Sequence, residues 1–225
     1  MEGFRYENKY FISSAGYRQL KARLEAGLAK DTHTMHPDGC YFIRSLYFDD
    51  YLQSGLSDKV EGVEIREKFR IRFYDADDSF IRLESKQKLG QMTRKLSAPL
   101  TREEAERLCR GDTWWMYKSE HPLVRNFYLK QRTRLLRPSV LVDYYREAFT
   151  FQDVRVTLDK DIHSGRYSFD LFNKSLVTAP VFPSDRVVLE VKYDDALPDA
   201  VKRLLSGVPM ARSAISKYEL CRKLQ

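Results

Sequence analysis

The chain has 225 residues and a formal net charge of +7, from 39 lysines and arginines against 32 aspartates and glutamates. Its content of 43% hydrophobic and 32% charged residues is typical of a globular domain with a full core, which we expect over residues 1–225, and excludes a disordered chain. Three widely spaced cysteines fit neither a disulfide framework nor a zinc site, and no apolar run is long enough to span a membrane. We therefore expect a cytoplasmic protein whose charge surplus indicates an anionic partner.

The pattern of apolar residues predicts a strand-rich order with a few helices. Strands are predicted at residues 4–12, 41–48, 64–74, 80–88, 92–97, 139–149, 154–160 and 186–194, with weaker segments around 167–171. Helices are predicted from Ser13 or Ser14 to residue 29, and at residues 101–110, 114–131, 198–205 and 213–224. Eight or so antiparallel strands with short connections favour an α+β fold, mainly antiparallel β, in which a closed barrel carries flanking and C-terminal helices.

Two tryptophans, Trp114 and Trp115, open the predicted helix at residues 114–131, which also carries Phe127 and Leu129. An aromatic pair on a helix packs in a core more often than it binds a ligand. We therefore predict that both tryptophans are packing residues.

Charged side chains occupy every second position of the predicted strand at residues 64–74. They are Glu64, Arg66, Lys68, Arg70 and Arg72, and apolar residues fill most positions between them. Because side chains alternate between the two faces of a strand, one face is basic and the other apolar. Periodicity alone favours a basic face that points outward to water.

Similar basic faces recur on other predicted strands, and glutamates are interleaved with them. Glu7 lies between Arg5 and Lys9, and Glu190 lies two residues before Lys192. If the basic faces point into a closed barrel, the lumen must hold water and anions, because unpaired buried cations are costly. A purely electrostatic anion site needs no carboxylates, whereas a site for metal-bound phosphates does. Each glutamate taken alone is more simply a salt-bridge partner across two strands.

Other motifs of known chemistry are missing from the sequence. There is no phosphate-binding glycine loop and no dinucleotide-binding glycine motif. His33 and His36 lie in a predicted polar loop with no third metal ligand nearby. No serine or cysteine has the surroundings of an activated nucleophile, so we do not expect a covalent mechanism.

Eight short segments follow one another in the order found in a known family: RYENKY (5–10), SLYFD (45–49), FRIRFY (69–74), LESK (83–86), YREAF (145–149), VRVTLD (154–159), LEVK (189–192) and SKY (216–218). Together they resemble the VTC domain, the polyphosphate polymerase domain of the vacuolar transporter chaperone complex and its bacterial relatives. That family belongs to the triphosphate tunnel metalloenzymes, also called CYTH-like. The resemblance extends from residue 4 to about residue 220.

The resemblance implies an eight-stranded antiparallel barrel that forms a tunnel lined by basic residues. The residues implied to bind phosphate are Arg5, Lys9, Arg70, Arg72, Lys86, Lys88, Lys95, Arg146, Arg155, Lys192 and Lys217. Of these, Lys217, Arg72 and Lys86 are implied to be catalytic. Glu190 and Glu7 are implied to hold a divalent metal, Mn²⁺ or Mg²⁺. The sequence does not fix the register around residues 94–95, where we assign Lys95 rather than its neighbour.

Two positions depart from the superfamily pattern. The superfamily opens with Glu-x-Glu-x-Lys, but Arg5 replaces the first glutamate here and leaves only Glu7, which favours the VTC branch over the simple triphosphatases. Lys88 makes the lumen still more cationic. On the strand at residues 64–74 we expect Arg66 and Lys68 to lie nearer the tunnel mouth than Arg70 and Arg72.

The implied reaction transfers the γ-phosphate of ATP onto a growing polyphosphate chain. One alternative is hydrolysis of tripolyphosphate or a nucleoside triphosphate in the same tunnel, and another is a module that binds polyphosphate without catalysis. The expected partners are ATP and inorganic polyphosphate. Nucleic acid is not expected, while a membrane-protein partner and the oligomeric state stay open.

Overall fold

The computed structural model describes residues 3–31, 39–182 and 185–225. His33 and His36 of the predicted polar loop lie outside these residues. The strands are β1 (Arg5–Ser13), β2 (Ala29–Lys30), β3 (Tyr41–Asp49), β4 (Ile65–Tyr74), β5 (Asp77–Leu89), β6 (Met92–Leu100), β7 (Arg137–Phe151), β8 (Val154–Ser164), β9 (Ala179–Pro180), β10 (Arg186–Tyr193) and β11 (Ala211–Arg212). The helices are α1 (Ser14–Gly27), α2 (Ser54–Val60), α3 (Arg102–Cys109), a 3-10 helix (Trp114–Lys118), α4 (Pro122–Arg134), α5 (Asp199–Leu205) and α6 (Lys217–Arg222).

In the described part of the chain, eight strands form a closed antiparallel ring. Their order is β7, β3, β4, β5, β6, β1, β10 and β8, and β8 pairs with β7 to close the ring. The seam between β1 and β6 is short, with Arg5 opposite Thr93 and Tyr6 opposite Met92. The predicted eight-stranded antiparallel barrel with accompanying helices is therefore confirmed.

The apolar face of β4 points away from the lumen. Phe69, Ile71 and Phe73 are buried in a hydrophobic cluster outside the ring, together with residues of α3 and α4. The ring of Phe127 on α4 packs edge to face on Phe69, with centroids 5.2 Å apart. Because helices cover the apolar face, strand alternation turns the basic face inward. The outward orientation that periodicity alone favours is wrong for this strand.

A second hydrophobic cluster covers another side of the barrel. Leu20 and Leu24 of α1 are fully buried against Leu189 and Val191 of β10. The side chain of Ser13 caps α1 by accepting a hydrogen bond from the backbone N–H of Gly16, which satisfies an amide at the helix start. The predicted helix is thus confirmed, although it ends at residue 27 rather than 29.

A third cluster lies on the lumen side of the strands and involves α6. Ile215, just before α6, and Tyr218 and Cys221 on it pack with Val142 of β7 and Val188 of β10. Because these strand positions face inward, part of the lumen is apolar and part is charged. The last predicted helix is confirmed, but it begins only at residue 217.

The predicted helix at residues 114–131 is wrong in its middle. The 3-10 helix ends at residue 118, and α4 starts afresh with Pro122, whose ring and missing N–H suit only the first turn of a helix. The side chain of Trp114 is 71% exposed, so the predicted packing role is wrong for it, while Trp115 is partly buried against the first cluster. The weak strand predicted around 167–171 is also absent, since that segment forms turns.

No helix in residues 3–31, 39–182 or 185–225 has the length and apolar character needed to cross a membrane.

Replacing Phe127 with alanine should test how much the outer core contributes to stability. The ring is fully buried against the outer faces of β3 and β4, where it packs edge to face on Phe48 and Phe69, so its removal should lower the free energy of unfolding by about 3–5 kcal/mol. The control is Leu129→Ala on the same helix, whose side chain is 57% exposed and should change stability by less than about 0.5 kcal/mol. Denaturant unfolding measures both, and equal losses in the two variants would contradict the assignment of the core.

Candidate functional site

The charged part of the lumen is a cavity of about 690 Å³. Among the described residues, twelve cationic side chains line it: Arg5, Lys9, Lys68, Arg70, Arg72, Lys86, Arg94, Lys95, Arg146, Arg155, Lys192 and Lys217. Four acidic side chains accompany them: Glu7, Asp153, Glu190 and Asp194. The cations of this cavity outnumber its acidic side chains by eight, one more than the net charge of +7 of the whole chain. The cavity therefore suits a multiply charged anion.

A second cavity of about 410 Å³ adjoins the first. Both cavities are bordered by the same central residues, Glu7, Lys9, Lys68, Lys86, Thr93 and Ser216. The smaller chamber adds Arg66, Lys88 and Arg212 to its wall. The lumen is thus a tunnel of two chambers that meet where β1 faces β5.

The structure brings the predicted phosphate-binding and metal-binding residues together in this tunnel. Lys88 lines the smaller chamber, and the others line the larger one. Lys95 lies opposite Lys86 in the β5–β6 pairing, and its Nζ atom is 3.6 Å from Glu84, which fixes the register that the sequence left open. Arg94 instead donates to Gln87 at 2.6 Å.

The first half of β4 lies at the smaller chamber and at its junction with the larger one. Arg66 lines only the smaller chamber, and Lys68 borders both chambers. Glu64 is exposed and lines neither chamber. Arg70 and Arg72, by contrast, line the larger chamber.

Arg70 and Arg72 are held by a buried glutamate and by hydroxyl groups. An Nη atom of Arg70 lies 2.6 Å from Glu84, and its other Nη donates to the hydroxyl of Tyr47 at 2.7 Å. Arg72 donates to Tyr144 at 2.9 Å. Burial raises the pKa of Glu84, but the two guanidinium groups outweigh burial and hold it well below its usual value. The glutamate therefore stays charged and fixes the direction of Arg70. Arg72 is oriented instead by its hydrogen bonds to Tyr144 and to the hydroxyl of Ser45, the latter at 3.0 Å.

A second group of charges lies where the chambers meet. Lys86 donates to both carboxylate oxygens of Glu7 at 2.7 Å. Lys9 lies 3.1 Å from Glu7 and 3.4 Å from Glu190, while Lys192 lies 3.0 Å from Glu190. Burial and the repulsion between the two glutamates raise the pKa of Glu7, but the three lysines lower it more. Burial likewise raises the pKa of Glu190, and the lysines hold it well below its usual value.

A third group joins α6 to the barrel. Arg146 on β7 forms a two-pronged pair with Asp159 on β8, at 2.6 and 2.7 Å. Lys217, the first residue of α6, places its Nζ atom 2.6 Å from the same carboxylate and 4.9 Å from the centre of the Tyr144 ring. Burial raises the pKa of Asp159, but Arg146 and Lys217 lower it below its usual value. All three charged side chains are buried.

Two arginines of the larger chamber, Arg5 and Arg155, have partly exposed side chains. Arg5 pairs with Asp194, and Arg155 lies 2.7 Å from Asp31 and donates to Tyr41 at 3.1 Å. Within the described residues, the buried Nε of Arg155 has no hydrogen-bond partner, and neither does the buried hydroxyl of Thr157 two residues on. Unsatisfied buried donors of this kind are expected where a bound ligand or water completes a site.

The residues fit a metal that arrives with its phosphates rather than a metal held by protein alone. In the part of the chain that the structure describes, no three His, Cys, Asp or Glu side chains form a cluster that could hold a metal. Glu7 and Glu190 nevertheless lie on the paired strands β1 and β10, where Glu7 is opposite Lys192 and Glu190 is opposite Lys9. The lowered pKa values of both glutamates keep them ionised. Mg²⁺ is commonly bound through one or two carboxylates plus substrate phosphates.

Sequence reasoning missed several residues of the site. Tyr47 and Tyr144 contact the two central arginines, and Asp159 contacts two of the predicted phosphate ligands. Burial raises the pKa of the Tyr47 phenol, but Arg70 and then Arg72 bring it below its usual value. Tyr144 and Asp159 share strand faces with predicted residues, and that alternation was the available signal. Tyr47 lies in the segment SLYFD (45–49), but no charged residue of the predicted strand at 41–48 shares its face and marks it as a site residue.

An eight-stranded ring whose lumen carries cations and interleaved carboxylates is the architecture that the resemblance to the triphosphate tunnel metalloenzymes implied. The model of the VTC domain matches residues 4–224, and the chain belongs to that family. Membership of this family and the tunnel fold support an enzymatic function related to phosphoryl groups.

Solved structures show a similar fold at low sequence identity. A protein of Bacillus halodurans described as a candidate adenylate cyclase is 15% identical with a TM-score of 0.53, and the match covers 91% of this chain and 92% of that one. A protein of Pyrococcus horikoshii OT3 is 11% identical with a TM-score of 0.48, covering 98% of this chain and 100% of that one. Comparison with curated proteins finds no match.

The ammonium group of Lys86 should make anion binding depend on pH. Burial lowers its pKa to about 7, although Glu7 beside it acts in the opposite direction. Only the protonated ammonium attracts phosphate, so the affinity for tripolyphosphate should fall as the pH rises through 7. Between pH 6.5 and 8.5 we expect a loss of up to about tenfold relative to Lys86→Arg, whose guanidinium stays charged.

Titration calorimetry without metal measures both proteins at each pH. The arginine variant controls for the titration of the ligand itself, because both proteins receive the same phosphate. Parallel pH profiles for the two proteins would contradict a neutral-range pKa at this lysine.

Proposed function

We propose that the chain is a metal-dependent polyphosphate polymerase that transfers the γ-phosphate of ATP to the end of a polyphosphate chain inside the tunnel. The observation that carries this proposal is the excess of cations over carboxylates in one enclosed lumen. A volume of about 690 Å³ lies in the range of sites for nucleotide-sized ligands. Family membership points in the same direction through the resemblance to the polyphosphate polymerase domain.

Phosphoryl transfer needs alignment and charge neutralisation more than covalent help from the protein. Arg70, oriented by Glu84, and Arg72, oriented by Ser45 and Tyr144, both line the larger chamber, where their remaining N–H groups suit phosphate oxygens. Lys86 and Lys217 act as point charges on other sides of the chamber. Glu190 and Glu7 would hold the divalent metal, which supplies neutralisation of charge on adjacent phosphates.

The second chamber favours a polymerase over a triphosphatase. A triphosphatase needs only one chamber, whereas a growing chain must extend away from the reacting end. The smaller chamber adjoins the larger one and offers Arg66, Lys88 and Arg212 along its wall. An extended polyanion therefore has cations to follow in both chambers.

Two further features of the proposal concern the whole chain. We propose that residues 1–225 act as one domain, because the ring draws its strands from both ends of the sequence. We also propose a cytoplasmic setting, which fits the free thiols of Cys40, Cys109 and Cys221.

Incubation of the protein with ATP and Mn²⁺ should yield a phosphate polymer visible on a gel. Transfer to phosphate extends a chain, whereas transfer to water releases inorganic phosphate. Arg72→Gln removes a forked donor from the reacting chamber and should reduce polymer formation by about 10²-fold or more. Free phosphate without polymer would instead support the hydrolase.

Replacing Glu190 with alanine should separate catalysis from binding. Loss of the metal-holding carboxylate should abolish polymer formation, while tripolyphosphate binding measured without metal stays the same or tightens because a negative charge has left the tunnel. The control is Glu64→Ala, since Glu64 is exposed and lines neither chamber. Unchanged turnover in the Glu190 variant would contradict the assignment of Glu190 as a metal ligand.

A further inference from the structure

Asp159 contacts two tunnel cations from behind the cavity wall. Its side chain is fully buried, and among the described residues the wall includes Arg146 and Lys217 but not Asp159. Both of its carboxylate oxygens accept from Arg146, and one of them also lies 2.6 Å from Nζ of Lys217. The carboxylate therefore contacts the protein side of the two cations, which turn their other sides to the cavity.

The two cations belong to elements that are far apart in the chain. Arg146 lies on β7, and Lys217 is the first residue of α6. A lysine side chain has four flexible torsions, so the ion pair to β8 restricts where its ammonium group lies. The ring of Tyr144 borders the same ammonium, with its centre 4.9 Å from Nζ.

We propose that Asp159 is a positioning residue, which holds Lys217 and Arg146 in the geometry that contacts phosphate. This role rests on the proposed function, since it concerns the alignment of groups in the proposed transfer. Small displacements of aligned groups lower rates strongly, by about 10²-fold for a shift near 1 Å. Binding of a polyanion tolerates such shifts, because it depends on summed charge over many contacts.

Charge balance alone is the competing explanation for this carboxylate. Two buried cations need a counter-charge whatever the site does. The two explanations predict different results for Asp159→Asn. Loss of a negative charge makes the tunnel more positive, so both explanations predict that tripolyphosphate binds equally well or more tightly. Only a positioning role predicts that turnover falls while binding is kept.

The barrel offers a matched control on its other face. Asp143 on β7 forms a two-pronged pair with Arg44 on β3 at 2.8 and 2.9 Å, and both side chains are buried. Neither residue lines the two tunnel chambers. Asp143→Asn therefore breaks an equally buried arginine–aspartate pair without touching the proposed site.

The experiment compares Asp159→Asn, Asp143→Asn and the unmodified protein in three measurements. The first is the affinity for tripolyphosphate without metal, and the second is kcat and KM for ATP with Mn²⁺. The third is the rate at which an amine-reactive acylating reagent modifies Lys217, measured by mass spectrometry. Asp159→Asn should lower kcat by about 10²-fold, keep or tighten tripolyphosphate binding, and speed acylation of Lys217 severalfold. Asp143→Asn should change none of the three.

A kcat within threefold of the unmodified protein, or an unchanged acylation rate, would overturn the positioning role. The same effects in Asp143→Asn would also overturn it, because they would reflect general loosening of the barrel. If circular dichroism shows that Asp159→Asn does not fold, Asp159→Glu replaces it. That variant keeps the counter-charge but moves the carboxylate by one methylene, so retained kcat supports charge balance and a loss of tenfold or more supports positioning.

The acylation measurement separates this inference from the proposed function. If the unmodified protein consumes no ATP, the proposed function fails. Acylation of Lys217 then still decides whether Asp159 holds that lysine in place. If ATP is consumed but acylation is the same in all proteins, only the positioning role fails.

Discussion

Buried positive charge is possible in this barrel because each group of cations surrounds a buried carboxylate. An ionised side chain left without a partner in a protein interior costs several kcal/mol, and removing one partner of a buried pair is strongly destabilising. The carboxylates that meet this need are Glu7, Glu84, Asp159 and Glu190, and each contacts at least two cations. They balance only part of the charge, since the larger cavity still has far more cations than acids on its wall. The remaining imbalance is what a polyanionic ligand would neutralise.

The same constraint explains why the hydrophobic core lies largely outside the ring. A barrel that reserves much of its lumen for charge must bury its apolar faces elsewhere. Two of the three hydrophobic clusters accordingly lie between the outer faces of the strands and the helices, with Phe127 of α4 and Leu20 of α1 among their fully buried members. The third cluster places apolar residues of α6 against the lumen side of the ring. The helices are thus the reason that the charged faces can point inward.

Strand alternation predicted the elements and the membership of each face, but it left the direction of the faces open. The direction of Arg70 and Arg72 depends on what covers Phe69 on the opposite face, and that cover is Phe127, far along the chain. For Trp114 the prediction of burial was wrong. Its exposure follows from the helix break before Pro122, which the apolar nature of its side chain does not reveal. Distances between elements were likewise beyond the sequence. Asp159 was visible as a member of a lumen face, yet its contact with Lys217 requires α6 to fold back onto β8. Alternation placed many charged residues on the same faces without distinguishing site residues among them. The resemblance to the VTC domain indicated which of them to expect in the site.

The position of β1 in the ring has a consequence for how the molecule assembles. This strand pairs with β6 on one side and β10 on the other. The ring can therefore close around β1, its first strand in the chain, only after β10, its last strand, has been made. Glu7 comes to lie opposite Lys192, and Lys9 opposite Glu190, only at that step. Pairings between such distant segments form slowly, because the intervening chain must first be ordered. During synthesis, β1 therefore leaves the ribosome long before its partner β10 exists, and until then Glu7 and Lys9 on its inner face lack their partners on β10.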